Sequence, residues 1–175
     1  MKATPGSSPA RRCTAQQQAP FAAVLGCIDS RVPPELVFDQ NIGDMFVARI
    51  AGNIASTDII GSLEFATALA GAKLIVVLGH SECGAVKGAI DDARLGSLTG
   101  VLQQIRPALK ALDYKGVPSS KDKALVQRVA ERNAKDAAAH LTGRSPTMAG
   151  LVREGKLEIV YAMHDVATGK VSWFG

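Results

Sequence analysis

Two apolar runs, each ending in metal-binding and acid–base residues, constrain this chain more than anything else in it. The first, A-V-L-G-C-I-D-S-R over 23–31, delivers Cys27, Asp29 and Arg31; the second, L-I-V-V-L-G-H-S-E-C-G over 74–84, delivers His80 and Cys83. Both are short and glycine-flanked, as strands buried on both faces of a parallel sheet are. Between them stand another strand-like run (45–50) and a helical pattern (58–70), so the order reads as repeated β-α-β. Parallel strands aim their carboxyl ends the same way, and sites of open α/β sheets lie outside those ends. Cys27 and His80 each close a strand, so topology predicts that they meet at one edge of the sheet.

Local spacing supports the same meeting. Side chains alternate along an extended chain, so Cys27, Asp29 and Arg31 share a face if the strand geometry persists. His80 and Cys83 are close enough in sequence to converge across the turn that starts a helix. Two thiolates and one imidazole are three zinc ligands, the count a catalytic site uses when one position stays open. Asp29 is placed as an acceptor for the water's proton that helps hold and orient the hydroxide, and a bidentate Arg31 keeps its carboxylate ionised. Thiolate ligands donate charge to the metal, so the water's pKa is expected above the ~7 of an all-histidine site. Backbone N–H groups at the helix start around Gly84 favour an anion.

At C-I-D-S-R and H-S-E-C-G the chain resembles the β-class carbonic anhydrases. The similarity continues through F-D-Q-N-I-G-D-M-F-V-A-R-I-A-G-N (38–53), G-S-L-E-F-A (61–66) and L-I-V-V-L-G-H, and is weaker from Leu157 onward. The resemblance implies zinc held by Cys27, His80 and Cys83, supported by the Asp29–Arg31 pair. In some members the aspartate matching Asp29 itself binds zinc as a fourth ligand. Gln18 matches the pocket glutamine of the plant-type branch, Phe46 and Phe65 its aromatic wall, and Val24 stands where the bicarbonate-regulated branch has tryptophan. The family builds that pocket from two subunits, with the aromatics facing the partner's zinc. Its members usually place helices before the first strand, whereas 1–20 here is rich in Pro, Ser, Gln and small residues and reads as a flexible tail. With that shortened N-terminus, a homodimer or homotetramer of weaker association is expected.

Composition narrows the alternatives. At 175 residues with 47% hydrophobic content, the chain is expected to form one catalytic domain over 21–175. No apolar run approaches the ~18–20 residues of a membrane helix, and the N-terminus lacks a signal-peptide core. A net charge of +4 without a basic, aromatic-interleaved stripe argues against nucleic acid. Three cysteines, two of them metal ligands, form no disulfide framework, which suits a reducing cytoplasm. Further helical patterns cover 34–38, 83–93, 98–112 and 121–141. Ser145-Pro146 reads as a cap and first turn, and 156–163 with 171–174 as a closing hairpin. The expected fold is α/β, a mostly parallel sheet core flanked by helices with an antiparallel C-terminal edge strand.

The reading that follows is an enzyme hydrating CO2 reversibly to bicarbonate and a proton, with zinc-activated water attacking the carbon and Gln18 and the Gly84 N–H orienting substrate. Two rivals are a hydrolase of carbonyl sulfide or carbon disulfide, and a non-catalytic protein stabilised by a four-coordinate zinc, with Asp29 or Cys13 as fourth ligand. His140 reads as a surface or capping residue; His164 stands where relatives often carry tyrosine.

Overall fold

The structure, a computed structural model, describes residues 14–174. Most of the tail assigned to 1–20, Cys13 included, lies outside the described residues. Five strands form one sheet in the order β2-β1-β3-β4-β5: β1 (Ala22–Gly26), β2 (Met45–Arg49), β3 (Leu74–His80), β4 (Glu158–His164) and β5 (Val171–Phe174). The first four are mutually parallel and β5 runs antiparallel against β4, as expected from sequence. Every residue of β1 is buried, and all but the first of β3, which is why these strands read as continuous apolar runs rather than alternating ones.

Among the described residues, six α-helices accompany the sheet: α1 (Pro34–Val37), α2 (Thr57–Glu64), α3 (Gly84–Ile90), α4 (Leu98–Lys110), α5 (Lys123–Arg144) and α6 (Pro146–Arg153). The larger core lies on one face, where Ala23, Leu25, Ile75 and Val77 meet Ile105 of α4 and Val129, Ala134 and Leu141 of α5. Each fully buried Leu, Ile or Val there contributes about 1.5–3 kcal/mol relative to an exposed one. The opposite face carries a smaller cluster of Val24, Val76, Leu78 and Ala162, flanked by Val37 and Phe38. Helix α5 packs along β3 and β4. A Cβ at Gly79 would stand 2.6 Å from Met163 Sδ and 3.2 Å from Ala134 Cβ, so glycine is what lets helix and strands approach there.

Some local expectations are corrected. The helix predicted over 58–70 is α only to Glu64; Phe65–Leu69 forms a π turn. Ser56 takes the N-cap position of α2, but its hydroxyl makes no capping bond. Ser145, by contrast, accepts from the Met148 N–H at 3.1 Å and donates to Glu64 Oε1 at 2.5 Å, tying α2 to the α5–α6 corner. The helix after the second motif is shorter than 83–93, ending at Ile90. Among the described residues no helix is long and apolar enough to cross a membrane.

Candidate metal centre

The carboxyl ends of β1 and β3 build the site. The register Gly26↔Leu78 leaves Cys27 and His80 just beyond adjacent strand positions. After His80, Glu82 adopts a left-handed φ of 57°, folding the chain back so that Cys83, the N-cap residue of α3, returns to the histidine. The potential ligand atoms of Cys27, His80 and Cys83 all lie within 4.8 Å of one another, and all three residues are buried. The two sulfurs are 4.0 Å apart.

Histidine orientation follows from one contact. His80 Nδ1 lies 2.9 Å from the Ser81 carbonyl oxygen, which only accepts, so Nδ1 carries the proton and Nε2 the lone pair. Nε2 is buried and has no hydrogen-bond partner among the described residues. An unpartnered, buried lone pair facing two sulfurs is costly unless a cation takes it. The cluster fits zinc: two sulfurs and one imidazole nitrogen are a recognised three-ligand set for that ion. The Cys83 S–H lowers Cys27 below its usual value, helped by His80 and the Gly52 N–H, while the same contact and burial raise Cys83.

Asp29 and Arg31 pair as expected, by a different route. Strand geometry ends at Gly26, and the chain turns with the Val32 N–H donating to Asp29 O at 3.1 Å. Within that turn Arg31 donates from its backbone N–H and Nε to Asp29 Oδ1 at 3.0 and 2.9 Å, and from Nη2 to Oδ2 at 2.7 Å. The Arg31 guanidinium holds the Asp29 carboxyl far below the usual carboxylate range, against a partial desolvation penalty. Arg31 Nη2 also donates to Glu82 O at 3.3 Å, joining the two ligand loops. Asp29 Oδ2 stands 4.0 Å from His80 Nε2, in the open side of the cluster.

A profile of the family described as carbonic anhydrase matches residues 22–171. The chain belongs to the β-class carbonic anhydrase family. The carbonic anhydrase of Mycolicibacterium smegmatis is 37% identical over 166 residues, covering 92% of this chain and 78% of that one. Carbonic anhydrase 2 of Mycobacterium tuberculosis is 34% identical over 158 residues, covering 87% and 73%. A β-carbonic anhydrase structure from Sordaria macrospora, one of two described as tetrameric, superposes with a TM-score of 0.80 at 32% identity, covering 92% of this chain and 83% of that one. This is thus a carbonic anhydrase enzyme.

The other sequence-predicted residues of this carbonic anhydrase lie apart from the cluster or at its rim. Gly84 is the exposed first residue of α3, directly after Cys83. Gln18 is exposed and precedes the amino end of β1, a strand that separates Ala22 from Cys27 by about 16 Å at ~3.3 Å per residue. Phe46 is in register with Ala23 on the edge strand β2, and meets Phe65 edge to face with ring centroids 6.0 Å apart. Phe65 is 49% exposed. Together they line an open cleft of about 280 Å³ with Val47, Ala48 and Leu63, roughly 13 Å of strand from the chain's own ligands.

Residues that sequence reasoning missed surround the ligand loop. Arg49 donates from Nε to Cys27 O at 2.7 Å and from Nη2 to Asp29 O at 2.5 Å. Gly52 donates its N–H to Cys27 Sγ at 3.3 Å, and Asn133 Nδ2 donates to Gly52 O at 2.7 Å. A strand-terminal arginine followed by I-A-G-N was the available signal. His164 is buried at the end of β4, in register with His80, and burial lowers its pKa. His140 is exposed on α5.

Proposed function

We propose that this chain catalyses the zinc-dependent, reversible hydration of CO2 to bicarbonate and a proton. The observation that carries the reading is the unpartnered His80 Nε2, enclosed by Cys27, Cys83 and an ionised Asp29 oxygen 4.0 Å away. Cys27 Sγ, Cys83 Sγ and His80 Nε2 would hold zinc, which supplies Lewis acidity and lowers the pKa of a coordinated water toward ~7 or somewhat above. Asp29, fixed by Arg31, accepts a hydrogen bond at Oδ2 and so orients the attacking water. Its strongly lowered pKa means that it orients and does not store the proton, which leaves to solvent. The Ser81 carbonyl fixes the tautomer that keeps Nε2 available.

In this reading the Gly84 N–H orients substrate beside the chain's own ligands, while Gln18, before the opposite end of β1, joins Phe46 and Phe65 in completing the site of a second copy in a homodimer or homotetramer. The exposed aromatic cleft on β2 supports the shared arrangement, since large apolar side chains left open at a sheet edge mark interfaces. The tetrameric Sordaria macrospora enzyme supports it also. We place one catalytic domain over 21–175 and its site in the cytoplasm, where reducing conditions keep Cys27 and Cys83 as thiols. Stopped-flow CO2 hydration with a pH indicator, run beside carbonyl sulfide and carbon disulfide hydrolysis, tests the reading. Turnover of CO2 well above buffer, exceeding that of both sulfur analogues, is expected.

A further inference from the structure

We propose that Arg49 is a positioning residue of the metal centre, holding the Cys27–Asp29 loop by its backbone so that ligand sulfur and carboxylate keep their spacing. The proposal rests on the zinc-site reading above and concerns a residue outside the ligand and acid–base set.

Strand β1 ends at Gly26, so the carbonyls of Cys27 and Asp29 have left the sheet ladder. Arg49 ends β2 in register with Gly26, and its side chain continues the ladder where the backbone stops. Nε donates to Cys27 O at 2.7 Å and Nη2 to Asp29 O at 2.5 Å. Both carbonyls are thus within reach of one planar guanidinium, which a single-point cation such as an ammonium could not serve together in fixed geometry. Following residues keep donating to the same loop: the Ile50 N–H to Gly26 O at 3.0 Å, and the Gly52 N–H to Cys27 Sγ at 3.3 Å. The stretch from Arg49 to Gly52 is therefore a strip of donors laid along Gly26–Asp29.

Packing does not hold that loop from outside. Ile28, between the two clamped carbonyls, is 61% exposed, so hydrogen bonds rather than burial fix its path. Arg49 has no carboxylate partner among the described residues, and its donors are not drawn elsewhere. Arg31 grips the Asp29 carboxylate while Arg49 grips the Asp29 backbone, so two guanidinium groups fix one residue from two directions. Without Arg49 the carboxylate would keep its pair with Arg31, but the pair and Cys27 Sγ would drift together relative to His80 Nε2.

The test uses the full chain with cobalt(II) in place of zinc, comparing wild type, Arg49→Met and Arg49→Lys. Arg49→Met is expected to bind one cobalt per chain with visible bands shifted in position and intensity, because the ligand geometry has changed. Its zinc form should lose about 10–100-fold in kcat for CO2 hydration, as outer-shell substitutions at metal sites do, with KM within about twofold. Arg49→Lys should recover part of both, since an ammonium can serve one carbonyl but not two in fixed geometry. A wild-type cobalt spectrum in Arg49→Met overturns the proposal, whatever the activity. Should the methionine variant not fold, the lysine variant decides: a shifted spectrum in a folded protein supports the role, and an unchanged one overturns it. A wild-type protein inactive toward CO2 would refute the proposed function, while the cobalt spectra would still read the role of Arg49.

Discussion

One hydrogen bond, from His80 Nδ1 to the Ser81 carbonyl, decides what the site can do, because it leaves Nε2 as an unpartnered lone pair. His80→Ala or Cys27→Ser should therefore lose zinc, read by metal analysis after dialysis. CO2 hydration should fall by more than the roughly 10–100-fold that outer-shell changes cost. Full metal content with full activity would contradict the ligand assignment. Arg31→Ala touches only the carboxylate, so it should lower turnover by about 10–100-fold while retaining most zinc. Its pH behaviour has a definite sign. The folded Asp29 carboxyl titrates below its unfolded value of about 3.9, so its ionised form is present above that pH and is lost only as pH falls through the lower folded value. Removing Arg31 moves that titration up toward ~3.9, still below neutrality. Turnover should thus climb between about pH 6.5 and 9 in both proteins, with a lower plateau and an unshifted alkaline midpoint in the variant, since a zinc-bound water with a pKa near ~7 or above governs that range. A flat pH–rate profile in the wild type would contradict this. The ligands and the Asp29–Arg31 pair were legible because their side-chain chemistry is rare in combination. Arg49 was not, since an arginine ending a strand looks like any solvated strand end until its two acceptors are seen.

At the scale of elements, apolar runs and glycine punctuation predicted the strands closely, because burial on both faces leaves little ambiguity. Helix interiors were less legible. Apolar residues at helical spacing over 58–70 fit an α or a π turn equally, and the π turn at Phe65–Leu69 depends on tertiary packing that no local pattern encodes. The turn between β2 and α2 was underrated. Gly52 sits there with φ 71°, and a Cβ would lie 2.5 Å from Ile105 Cδ1 and 3.3 Å from Ala85 Cβ. Gly52→Ala should cost about 2 kcal/mol from strain and overpacking, lowering the thermal midpoint by about 4–8 °C for a chain of this size. Calorimetry checks it; an unchanged midpoint would show that α4 yields freely. Zinc affinity should also fall, because the same residue donates to Cys27 Sγ.

At the scale of the whole molecule, the aromatic pair Phe46–Phe65 stands at the β2 edge, away from the ligands of its own chain. Sequence named these residues through family resemblance, but a single chain shows them serving no site of its own. If they complete a partner's pocket, sedimentation across a dilution series should show activity falling as dimers dissociate; a fully active monomer would contradict the shared pocket. The central claim is that Cys27, His80 and Cys83 make a catalytic zinc centre for CO2 hydration, and zinc titration of the metal-depleted protein tests it most directly. Stopped-flow CO2 hydration should rise linearly with added zinc and break at one zinc per chain. Zinc bound at that ratio with no CO2 hydration would contradict the account and leave the cluster a structural site.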